Sequence, residues 1–286
     1  MKLATFTHQS RTRVGIVDDD GILDLAAADA ALPKEMSELL AGGQPALARM
    51  QAILACSAAR IALADVHLEA PVLRPRKFLA IGLNYADHIA ETGRPAPDFP
   101  VFFNKQTTCV NGPFDPIVMP RVSSALDYEG ELGFVIGKRC RNVTRDKAHE
   151  VIGGYLVVDD VSVRDWQFRA PTLTLGKSFD THGPIGPWIV TPDEVADPHS
   201  LEIRTWVNGD LRQHSNTRHL IFDCFAMVET LSTVFTLEPG DIVSTGTPSG
   251  VGMPTQNWLV AGDVVRIEIE RIGAIENKVV SERDDG

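Results

Sequence analysis

From about residue 71 onward the chain breaks into short apolar runs, KFLAIG, GELGFVIG, GYLVVDD, GPWIV, LEIRTWVNG, DIVSTG and DVVRIEIERIG, punctuated by glycine and proline. Runs of this length, bounded by turn residues, read as β-strands. Two segments have helical character, NYADHIAET and the stretch around IFDCFAMVETLSTVF. Two helices among so many strands exclude regular β-α-β alternation and point to a β-rich, mixed α+β architecture.

The first 70 residues differ in texture. VGIVDDDGILDL suggests two short strands around an Asp-Gly turn, an opening hairpin, and MSELLAGGQPALARMQAILA suits short helices broken at Gly42-Gly43-Gln44-Pro45. Prolines 71 and 75 in LEAPVLRPRKF predict an extended linker. The expected division is a small N-terminal α+β domain, 1–70, and a main domain, 71–286. A hydrophobic content of 44% supports a substantial core.

The formal charge of −11 argues against nucleic acid as the partner. No apolar run reaches the length of a secretion signal or a membrane span, so a soluble cytoplasmic protein is expected. Cys56, Cys109, Cys140 and Cys224 are widely spaced, fitting neither a zinc signature nor a disulfide framework, and are expected to be reduced and mostly buried.

The stretch LDYEGELGFVIGK concentrates charge on a strand. Side chains alternate across a strand, so Tyr128, Leu132, Phe134 and Ile136 share one face, while Asp127, Glu129, Glu131 and Val135 share the other. Carboxylates two residues apart stand about 6.5–7 Å apart at Cα. They need solvent or a shared cation to relieve their repulsion. GYLVVDDVSVRDW offers a third carboxylate, Asp159 or Asp160, which point to opposite faces of the strand. Alternation alone does not choose between them.

In GLNYADHIAE, His88 and Glu91 are neighbours on one face if the segment is helical, and a carboxylate beside an imidazole makes a base. LTLGKSFDTHGPIGP places Lys177 in a turn, where it could stabilise an oxyanion. STGTPSGVG has small residues that let backbone amides approach an anion, but it lacks the Gly-Lys-Ser/Thr ending of a nucleotide loop.

Taken in order, GLNYADHIAE, DYEGELGFVIG, DDVSVRDWQ, GKSFDTHGPIGP and STGTPSGVG resemble the fumarylacetoacetate hydrolase superfamily over roughly residues 71–280. The resemblance implies a β-rich mixed-sheet roll with an N-terminal extension. It also implies a Mg²⁺ or Mn²⁺ ion on Glu129, Glu131 and Asp160. His88, Glu91 and Lys177 match its catalytic positions, with His88 and Glu91 on a lid, and Arg164, Gln167 and Thr247 match its substrate contacts. The sequence departs from the usual wording at Asp159 and His182, which puts the substrate in doubt more than the reaction class.

The implied activity is metal-dependent hydrolysis of a carbon–carbon bond in a 2,4-dioxo acid of the acylpyruvate or fumarylpyruvate type. The rival is decarboxylation or tautomerisation of oxaloacetate or a related 2-oxo diacid on the same site. A third reading is a metal- or ligand-binding homologue without catalysis. A homodimer acting on a small 2-oxo acid is expected.

Overall fold

The computed structural model describes residues 1–56, 59–93 and 95–283. Its spine is the strand Gly130–Ile136, paired antiparallel with Ile152–Asp159 on one side and Ile242–Ser244 on the other. Beyond Ile152–Asp159 the sheet continues through Gly183–Val190, Lys2–His8 and Arg11–Asp18 to Gly21–Asp24. Beyond Ile242–Ser244 it passes through Phe78–Gly82 to Val101–Lys105, and the pairing of Ile242–Ser244 with Phe78–Gly82 is parallel. Two further short strands on its flanks bring this mixed sheet to eleven strands.

A five-stranded sheet runs in the order Asp210–Asn216, Glu202–Val207, Val264–Ile269, Gly273–Ser281, Ile117–Met119. It packs on the spine's even-numbered face. Leu132, Phe134 and Ile136 share a core there with Ile203, Val207, Ile267 and Ile275. Met227, Val228 and Leu231 complete that core from the helix Cys224–Val234, whose first turn is capped by Asp223 accepting from the Ala226 amide at 2.8 Å. Burying each such large apolar side chain contributes roughly 1.5–3 kcal/mol.

The opposite face of the sheet is covered as well. Val135, Leu156, Val158, Ile185 and Ile189 pack with Leu39, Leu40 and Met50 from the helices Met36–Ala41 and Gly43–Cys56. The spine is therefore buried along its whole length, so open solvent is not what relieves its carboxylates.

The N-terminal 70 residues contribute directly to the main sheet, since Lys2 pairs with Val190 and Leu3 with Ile189. The expected hairpin forms between Arg11–Asp18 and Gly21–Asp24, and a further strand, Lys2–His8, precedes it and pairs with Arg11–Asp18 along its full length. The expected break at 42–45 shortens to Gly42, and Pro45 lies inside the second helix. Cys109, Cys140 and Cys224 are buried, Cys56 is exposed, and all four are free. Among the described residues no helix is long and apolar enough to cross a membrane.

Candidate metal centre and active site

The strand Ile152–Asp159 ends at Asp159, and the chain then turns so that Asp160 joins Glu129 and Glu131. One carboxylate oxygen from each of these three lies within 4.8 Å of the others, and all three residues are buried. Asp159 takes a different post. It is fully buried, and its Oδ1 accepts from the Glu129 amide at 2.9 Å, bracing the Glu129–Glu131 segment from behind. Burial pushes its carboxyl up to about 7, with Asp160 adding to the rise and the Glu129 amide opposing it.

Glu129 and Glu131 are held in opposite electrostatic states. Burial disfavours charge on both, but Lys177 and Arg164 bring Glu129 down to about 2. Glu131 has no such partner; burial, Asp160 and Glu129 together drive its carboxyl well above the usual range. Its Oε2 accepts from Ser244 Oγ and from the Gly246 amide at 2.7 Å.

Lys177 is deeply buried rather than on an open turn. It ends the short helix Thr174–Lys177, and its Nζ donates to Glu129 Oε2 at 2.6 Å and to Asp160 Oδ2 at 2.8 Å. Gly176 makes that placement possible, because a Cβ there would stand 2.3 Å from the Gln167 backbone nitrogen. Arg164 Nη1 contacts Glu129 Oε1 at 2.6 Å and donates to Gln167 Oε1 at 2.9 Å, while its Nε donates to Asp127 Oδ2 at 2.8 Å.

Asp127 in turn accepts from the amides of Gly252 and Met253, at 2.7 and 3.0 Å, tying the glycine-rich loop to the segment that leads into Glu129 and Glu131. The helix Ala86–Thr92 carries His88 and Glu91, whose Nδ1 and Oε2 are 3.1 Å apart. Glu91 Oε1 also accepts from the Gly250 amide at 3.1 Å, so the helix is docked on the same loop.

These elements enclose a cavity of about 230 Å³. His88, Glu129, Glu131, Arg164, Gln167, Lys177 and Thr247 all line it, and Val101, Phe103, Phe168, Leu173 and Met253 form apolar wall. Thr247 donates its hydroxyl to the Gly130 carbonyl at 2.9 Å, so in this structure that proton is committed to the scaffold.

Two residues central to the site have no counterpart in the sequence reading. Lys105 is buried, with Nζ 2.6 Å from Asp160 Oδ1 and also donating to the Lys177 carbonyl. Its signal is its parity with buried Phe103 on the strand Val101–Lys105. Gln213 is the other, buried in a strand whose sequence, DLRQHSN, is polar throughout.

Around the cluster, the carboxylates Asp127, Glu129, Glu131, Asp159 and Asp160 outnumber the cations Lys105, Arg164 and Lys177 by two. An all-oxygen donor set in which carboxyl groups outnumber cations, with burial and like charge disfavouring ionisation of Glu131, fits a hard divalent cation that would relieve it.

The chain belongs to the fumarylacetoacetate hydrolase family: the family's "Fumarylacetoacetate (FAA) hydrolase C-terminal" domain matches residues 77–280. The mitochondrial oxaloacetate tautomerase of Xenopus laevis is 44% identical over 288 residues, spanning 98% of this chain and 90% of that one. A maleylpyruvate hydrolase from Sphingobium sp. SYK-6, crystallised with manganese(II) and pyruvate, superposes with a TM-score of 0.84 at 38% identity, covering 99% of this chain and 100% of that one. A 5-carboxymethyl-2-hydroxymuconate delta-isomerase from Mycobacterium smegmatis superposes at 0.80 with 36% identity and the same coverage.

Proposed function

We propose that this protein is a divalent-metal-dependent hydrolase that cleaves a 2,4-dioxo acid of the acylpyruvate type into pyruvate and a carboxylic acid. The observation that carries the proposal is that His88, paired with Glu91, lines the same cavity as Glu129 and Glu131 of the three-carboxylate cluster. The crystallised maleylpyruvate hydrolase, with its manganese and pyruvate, supports the same choice of ion and product. Bound at the three carboxylates, Mg²⁺ or Mn²⁺ would supply a Lewis acid that holds the 2-oxo acid end of the substrate and draws charge from it.

The chain's own residues do the rest. Glu91 holds His88 Nδ1, which leaves Nε2 to take a proton from water, and the hydroxide so formed adds to the 4-carbonyl. Lys177 and Arg164 supply fixed positive charge beside the reacting oxygens, while Gln167 orients the substrate and Thr247, its hydroxyl bonded to Gly130, shapes the wall beside it. The C3–C4 bond breaks, C3 leaves with the electron pair, and a proton returned to C3 completes pyruvate. The apolar wall of Val101, Phe168, Leu173 and Met253 suits the acyl end.

A second reading, tautomerisation of oxaloacetate or its decarboxylation, is favoured by the 44% identity to an oxaloacetate tautomerase. Tautomerisation would use the same base to move a proton between C3 and the 2-oxo oxygen, whereas decarboxylation would break the C3–C4 bond, release CO₂ and return a proton to C3; neither adds water. With Mn²⁺ present, release of pyruvate and acid from acylpyruvates supports hydrolysis, whereas keto–enol interconversion of oxaloacetate without acylpyruvate cleavage supports the second reading. His88→Ala and Glu91→Ala are each expected to lose about 10²–10⁴-fold in kcat while still binding Mn²⁺. Unchanged turnover in both variants would overturn the base assignment. The family resemblance also carries the expectation of a cytoplasmic homodimer, which light scattering and fractionation test.

A further inference from the structure

The strand Asp210–Asn216 forms the edge of the five-stranded sheet, and most of its side chains face solvent. Gln213 and Ser215 turn inward, and each reaches a different half of the site. Gln213 Oε1 accepts from the Gly130 amide at 3.0 Å, and Nε2 donates to Thr247 Oγ1 at 2.8 Å and to the Pro248 carbonyl at 3.0 Å. Thr247 Oγ1 closes the ring by donating to the Gly130 carbonyl at 2.9 Å.

Gly130 is the residue between the two glutamates, and it lacks a side chain where a Cβ would stand 2.3 Å from Thr205 Oγ1. One amide side chain thus fixes the spacing of the carboxylates against the loop beside them. Ser215 Oγ donates to Asp87 Oδ2 at 2.6 Å, and Asp87 Oδ1 accepts from the His88 amide at 2.7 Å. The serine therefore anchors the start of the helix that carries the base.

We infer that Gln213 and Ser215 are positioning residues with separate duties: Gln213 presents Glu129 and Glu131 to the metal ion, and Ser215 holds His88 at its working position. Neither lines the cavity: Gln213 acts through Gly130 and the lining residue Thr247, and Ser215 acts through Asp87 on the lining residue His88. The Ser215 half rests on the function proposed above; the Gln213 half rests only on the metal cluster.

The test reads the two duties independently. Gln213→Met keeps the length of the side chain and removes its three hydrogen bonds. It is expected to weaken Mn²⁺ binding by about 10- to 100-fold and to broaden the electron paramagnetic resonance spectrum of bound Mn²⁺, measured without substrate. Gln213→Glu, which keeps the acceptor for Gly130, serves if the methionine variant does not fold, and an intermediate loss is expected. Ser215→Ala is expected to lower kcat about tenfold, leaving Mn²⁺ affinity and spectrum unchanged.

Unchanged Mn²⁺ affinity and spectrum in both Gln213 variants overturns the first duty. Parallel losses of melting temperature, metal affinity and kcat in Ser215→Ala overturn the second, since they mark a general structural role. If no tested 2-oxo acid is turned over by the wild type, the proposed function fails while the Gln213 result still stands on Mn²⁺ binding.

Discussion

Replacing Glu131 by glutamine removes one charge from the carboxylate cluster and leaves its local hydrogen bonds satisfiable. The glutamine carbonyl can still accept from Ser244 Oγ and the Gly246 amide, so the fold has no reason to fail. The ionised form of Glu131 is disfavoured by burial and by its two acidic neighbours, so the metal-free variant is expected to be at least as stable as the wild type near neutral pH. The difference appears when metal is added. An ion present at 100 times its dissociation constant stabilises the folded state by about 2.7 kcal/mol. Losing a direct ligand costs no less than the ~100-fold seen for the strongest supporting contacts. At the same ion concentration the variant then gains only about 0.4 kcal/mol. At roughly 2–4 °C per kcal/mol, the Mn²⁺-induced rise in Tm should be about 5–9 °C smaller in Glu131→Gln than in the wild type. Thermal unfolding with and without Mn²⁺ measures this, and an equal rise in both proteins would refute the assignment of Glu131 as a ligand.

Lys105→Met strips Asp160 of one of two buried ammonium partners and leaves the Lys177 carbonyl without its donor. A loss of about 3 kcal/mol is expected in urea unfolding, and a loss below about 1 kcal/mol would contradict a buried ion pair at that position. His182 is fully buried, with Nε2 2.9 Å from the Val118 carbonyl, and burial lowers its folded pKa to about 4. The neutral ring is therefore favoured in the fold; its contribution is complete above about pH 6.5 and is lost as pH falls towards 4, amounting to about 3 kcal/mol. His182→Gln lacks this term, so the stability gap between wild type and variant should narrow by that amount between pH 7 and pH 4, and a constant gap would count against a neutral buried imidazole.

Candidate residues stand out in the sequence where charge interrupts an apolar run, and their proposed roles come from the family resemblance. Glu129 and Glu131 announce themselves because carboxylates on a strand with an apolar opposite face demand an explanation. The choice between Asp159 and Asp160 was not legible from alternation, because the strand ends between them and the rule stops applying there. Lys105 escaped notice because a single lysine near the end of a short strand reads as solvated, and only its partners in space reveal otherwise. Gln213 was hidden by the reverse effect: an edge strand shows mostly outward polar residues, so an inward polar residue does not stand out in sequence. The helices Ala86–Thr92 and Cys224–Val234 fall where the sequence puts them, because each has apolar residues three and four apart. The joining of the N-terminal strands to the main sheet depends on pairing between residues nearly two hundred positions apart, which local pattern does not carry.

That joining limits how the chain can be trimmed. Were the first seventy residues removed, the remaining protein would present a bare hydrogen-bonding margin at Ile189 and Val190. It would also expose the apolar patch around Leu156, Val158, Ile185 and Ile189. An open margin beside a greasy face is a template for self-assembly. A shortened version that keeps every residue of the cavity should therefore elute as aggregate in size-exclusion chromatography. For this chain the smallest piece that stays dispersed is set by what covers the back of its sheet, well away from the residues that line the cavity.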